Sequence, residues 1–173
     1  VKYFAVTAFM IASLLVTPIA TVAKGEPSDS MCPSADRAIQ TYARLAENDR
    51  TPVADAIAAA DTASAALAAC GENYRTVGDV ERAHYASLGS AQFRFTEGRL
   101  LHLSGDVDRA REMLGAAIAA VADTNTWGTP QEPSRYQAAA IAVREAAKDE
   151  LTRLTRSRDT LLHQRTTDFL VRI

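Results

Sequence analysis

The sequence predicts an all-α protein of stacked antiparallel helical hairpins, with five or six helices following an amino-terminal leader. Three observations carry that prediction. Alanine-rich stretches hold apolar residues at helical spacing, aromatic residues make up only 6% of the chain, and Gly or Pro punctuation divides it into segments of helical length. At 173 residues the chain has room for one domain with a sizeable core. Lys and Arg number 19 against 21 Asp and Glu, a formal charge of −2. Such a balance gives no gross attraction to nucleic acid or to an anionic membrane, so nucleic-acid binding is not expected.

Residues 1–23 read as a secretory signal peptide. Lys2 stands beside the amino terminus, an apolar run extends from Tyr3 to Val16, and small residues end at Ala23 before polarity rises at Lys24. The alternative is an uncleaved anchor, because Tyr3 to Ala23 approaches the ~20 residues of a spanning helix; no other membrane association is expected. Val1, taken as an alternative start codon translated literally, points to a bacterial source. The expected destination is therefore the periplasm or the medium. Residues 24–33 form a polar linker, and 34–173 a single all-helical domain.

The first helix is expected over ADRAIQTYARLAEN, with Ser34 as its N-cap and Ile39, Tyr42, Ala43 and Ala46 along one face. Thr51 and Pro52 restart the chain as N-cap and first-turn proline. The following VADAIAAADTASAALAAC has high helix propensity and a thin stripe of Val53, Ile57, Ala60 and Leu67, and Gly71 is expected to end it. So short a connection makes these two helices antiparallel. Cys32 and Cys70 then fall at the same end of the hairpin, and an even cysteine count in an oxidising compartment predicts a disulfide between them.

Asp79 opens a long third helix with apolar residues on two sides, as an interior element requires, and Gly105 ends it. Asp106 opens the fourth, whose face is Val107, Ala110, Met113, Leu114, Ala117, Ile118 and Val121. After the loop DTNTWGTPQEPS comes a Gly- and Pro-free stretch. Tyr136, Ala140, Val143, Ala147, Leu151 and Leu154 mark a fifth helix there, and Leu162, Thr166, Phe169 and Ile173 a sixth or a continuation, with the break near Ser157 left open.

Gly98, Gly105-Asp106, Ala110, Leu114 and Ala117 resemble the spacing of a tetratricopeptide repeat over about one repeat of roughly 34 residues. The resemblance implies that Gly98 meets Ala110 where two helices pack, and that the hairpins stack with an open concave side. Arg94 and Glu97 stand where that family usually has Trp and Leu, Leu101 where it has Tyr, and Ala122 where it has the closing Pro. GDVERA at Gly78 echoes GDVDRA at Gly105 as two similar helix starts.

Chemistry is sparse in this sequence. His84 and His102 lie too far apart on one helix to share a metal, and His163 sits near the carboxyl end. No HExxH, GxSxG, phosphate-binding glycine loop or CxxC occurs, so no catalytic residue, metal site or cofactor is expected. Basic residues from Arg144 to Arg172 alternate with acidic ones, as a solvated helix face does. The leading expectation is a non-enzymatic exported interaction module that binds an unidentified peptide or protein in the cell envelope. Its candidate contact residues are Tyr85, Gln92 and Arg99 on the third helix, together with Trp127. Trp127 has two readings, an anchor on an exposed loop or a lid folded over the ends of the fourth and fifth helices. The alternative function is a small helical bundle with a small-molecule-binding or structural role in the envelope.

Overall fold

The computed structural model describes residues 32–171 apart from 49, 130 and 131, with side chains as far as Arg156. The helices are α1 (Pro33–Ala46), α2 (Val53–Thr76), α3 (Val80–Ser104), α4 (Val107–Ala120) and α5 (Gln137–Val171), with a 3₁₀ turn at Thr124–Thr126. The chain is all-α and built of helical hairpins. The leader expected over 1–23, the linker as far as Met31, and the side chains of Leu162, His163, Thr166, Phe169 and Ile173 lie outside the described residues.

The two echoing sequences turn out to be the same device. Gly78 and Gly105 adopt left-handed backbone, with φ of 79° and 90°. The next N–H reaches back over the closing turn, Asp79 to the Tyr74 carbonyl and Asp106 to that of Leu101, each at 2.9 Å. Only glycine takes this geometry without strain. Each Asp then caps the following helix, its carboxylate accepting from the N–H of Arg82 or Arg109.

Three helix ends differ from expectation, the starts of α1 and α2 and the end of α2, and the question left open at Ser157 is settled. Helix α1 begins at Pro33 with Cys32 at the N-cap, so Ser34 lies inside the first turn; proline at the first helical position needs no N–H partner. Helix α2 has Pro52 at its N-cap and does not stop at Gly71 but runs on to Thr76. Gly71 is a packing residue: a Cβ there would stand 3.4 Å from the Ala86 Cβ of α3. Of the two readings left open at Ser157, the continuation holds: α5 runs unbroken through it, which a segment without Gly or Pro permits.

Helix α3 is the axis of the assembly. On one side Ala60, Ala63, Leu67 and Tyr74 of α2, with Ala35 and Ala38 of α1, close over Ala83, Ala86 and Phe93; Tyr42 meets the Phe93 ring edge-on at 5.1 Å. On the other, Ala110, Leu114 and Ala117 of α4 and Ala140, Val143 and Ala147 of α5 close over Leu88, Ala91, Phe95 and Leu101. The α3–α4 approach is tight because Gly98 offers no side chain: a Cβ there would lie 2.8 Å from Leu114 Cγ and 3.2 Å from the Ala110 carbonyl. The α4 helix thus packs back on its predecessor along the expected stripe. The Cys32–Cys70 disulfide is formed, with a Cα–Cα distance of 5.6 Å, and fastens the start of α1 to α2.

Candidate functional site

Every residue from Ala86 to Phe93 is buried. On a helix with 3.6 residues per turn this means cover on all sides, so the middle of α3 presents no groove. Two of the expected contact residues are corrected by this arrangement. Gln92 is only 7% exposed and Trp127 only 6%, so neither lies on an open face. Gln92 shares a face of α3 with Tyr85 and Arg99 by spacing, and neighbouring helices cover it. Trp127 folds inward as a lid, its indole stacked on the His84 ring at 4.4 Å with an 11° interplanar angle.

The other two are half-buried. The Tyr85 ring packs against Tyr136 at 5.5 Å, and the Arg99 guanidinium lies over Phe95 at 5.8 Å. Tyr85 and Trp127 thus both serve to hold the 121–136 connection against α3, a role shared with Ser134, whose hydroxyl donates to Glu81 at 3.2 Å. Burial pushes the His84 imidazole below its usual pKa, with nearby Glu81 opposing and Arg75 adding to the shift; a neutral ring suits the stack. Further along α3, His102 has its Nδ1 2.8 Å from Glu150 Oε1 of α5. Among the described residues no group of His, Cys, Asp and Glu is placed to hold a metal ion.

Among the described residues an open concavity lies between α1 and α2. It is a furrow of ≈ 540 Å³ lined by Ser34, Arg37, Ala38, Thr41 and Leu45 from α1, and Asp55, Ala58, Ala59 and Thr62 from α2. Both sets repeat at i, i+3, i+4 and i+7, so each is one helix face. Ala38 and Ala59 form the floor, each 9% exposed. Alanine is too short to fill the space between two helices at this crossing, and the flanking Thr hydroxyls are turned to their own backbone, Thr41 to Arg37 and Thr62 to Ala58. The 47–52 connection places Leu45 and Asp55 at one end, and the disulfide end carries Ser34 and Arg37. Of the lining residues, Asp55 carries a negative charge toward one end and Arg37 a positive one toward the other.

The furrow residues were not singled out from sequence. Their signal was the coincidence of small side chains at helical spacing on two consecutive helices, which alanine-rich composition obscures. No family model, curated protein or solved structure matches the chain.

Proposed function

We propose that the chain is a non-enzymatic docking module of the bacterial cell envelope, exported to the periplasm or medium, and that the α1–α2 furrow receives a helical segment of a partner protein. The furrow itself carries the proposal: a shallow trough with an alanine floor, a hydroxyl rim, and walls joined covalently at one end. An α-helix laid in such a trough buries an apolar stripe against the alanines. The charges at the two ends select its direction. A helix with its positive amino end at Asp55 and its negative carboxyl end at Arg37 satisfies both, so the partner helix runs parallel to α2. The disulfide supports export, since such bonds persist in oxidising compartments.

A second reading draws on the same concavity. Its volume falls within the ~300–1,000 Å³ typical of small-molecule sites, and the full cover around α3 suits a closed bundle. The open shape and the length of the trough favour a helix over a small ligand.

The test is site-directed photocrosslinking. A photoreactive side chain at Ala58 is expected to capture one envelope protein through a single helical segment, whereas the same group at Asp108, on α4 and 92% exposed, captures nothing specific. Filling the floor with Ala59→Trp should abolish the adduct. Equal labelling from both positions, or an adduct that survives Ala59→Trp, contradicts the proposal.

A further inference from the structure

Glu97 is a carboxyl group in the interior, 1% exposed, at the junction of α2, α3 and α4. Its Oε1 lies 3.8 Å from Arg109 Nη2, too long for a hydrogen bond, and its Oε2 is buried without a partner, as is the Nε of Arg94 one turn earlier. The neighbouring Gly98 brings α4 down onto this point. The charged groups facing Glu97 are Asp61 from α2, Arg94 from its own helix, and Arg109 and Glu112 from α4. Two cations oppose two anions, so the surroundings nearly cancel, and the cost of removing an ionised carboxylate from water is left without compensation.

We propose that Glu97 is a proton-operated latch on this junction: protonated, it lets α4 close on α3 as in the structure, and deprotonated, it loosens α4. Burial foremost, then Asp61, pushes its pKa from 4.5 up to about 7, against the pull of Arg109 and Arg94. A carboxyl with a raised folded-state pKa binds more protons folded than unfolded. Its stabilisation is complete below about 4.5, declines as pH rises, and is gone above about 7. Helix α4 is the element that yields. It is the shorter neighbour, 14 residues against the 24 of α2, and α2 is tied to α1 by the disulfide. Arg109 is already 57% exposed, so a small outward shift of α4 brings water to the carboxylate.

The test uses the full chain, comparing wild type with Glu97→Gln and Asp61→Asn. Between pH 5 and 8 the wild-type Tm should fall about 5–10 °C further than that of Glu97→Gln. Over the same range the amide of Leu114, corrected for intrinsic exchange, should exchange at least about tenfold faster in wild type and not in Glu97→Gln. Asp61→Asn removes a neighbouring negative charge and should move the wild-type transition to lower pH; this arm decides the matter if Glu97→Gln fails to fold. The same Tm loss in Glu97→Gln, an unchanged Leu114 exchange rate, or an unmoved transition in Asp61→Asn each overturns the latch.

Discussion

Reducing the Cys32–Cys70 bond, or replacing Cys70 by Ser, is expected to cost about 4 kcal/mol of stability. The bond closes a sequence separation of 38 residues, and the loss of loop entropy from the unfolded chain over that length gives about this figure. The effect should concentrate in α1. That helix buries only Ala35 and Ala38 fully, with Ile39 and Tyr42 half-covered, which is little apolar area against the entropy of ordering its residues. Chemical denaturation should show the midpoint drop, and amide exchange should show α1 opening before the rest. A reduced protein with an unchanged midpoint and a protected α1 would mean that the hairpin holds without its covalent tie.

Leu114→Ala is expected to cost about 3–4 kcal/mol. Leu114 is fully buried, and truncation removes both its transfer free energy and the contacts of the atoms that faced it. Collapse cannot repair the hole, because the residue opposite is Gly98, which has no side chain to move in. The same geometry makes the pair non-additive. Gly98→Ala alone places a methyl group 2.8 Å from Leu114 Cγ and should destabilise by about 1–2 kcal/mol despite alanine's better helix propensity. In the Leu114→Ala background the clash with Leu114 is gone and only the 3.2 Å approach to the Ala110 carbonyl remains, so Gly98→Ala should cost less there than it does alone. Equilibrium unfolding of the two single variants and the double variant measures the coupling. Simple additivity would show that α3 and α4 do not approach at this point.

Sequence carried the hairpins well wherever a local rule sufficed. Gly78-Asp79 and Gly105-Asp106 each stop one helix and cap the next through bonds made within a few residues. The disulfide followed from two cysteines and one short turn, and the α4 stripe from spacing alone. What escaped was decided by neighbours distant in sequence. Gly71 carries the signature of a helix stop, yet serves to let α3 approach, and a single sequence does not separate these two uses of glycine. Tyr85, Gln92 and Arg99 share a face of α3 by spacing, but a polar side chain does not by itself mark exposure; the cover over Gln92 comes from other helices. In the sequence Glu97 stands out only as a departure from a repeat pattern. Its signal was present: Phe93 and Leu101 stand four residues to either side, both buried, which puts the carboxyl in the middle of an apolar stripe.

The molecule rests on α3 as an enclosed axis, with α1 and α2 on one flank and α4 and α5 on the other. Native-state hydrogen exchange tests this most directly. Amides from Ala86 to Phe93 should be the slowest in the chain and should exchange only through global unfolding, at the free energy measured by denaturant. If those amides exchange faster than the amides of α4 or α5, or through a sub-global opening that leaves the flanking helices intact, then α3 is not the axis and the packing described for it is wrong.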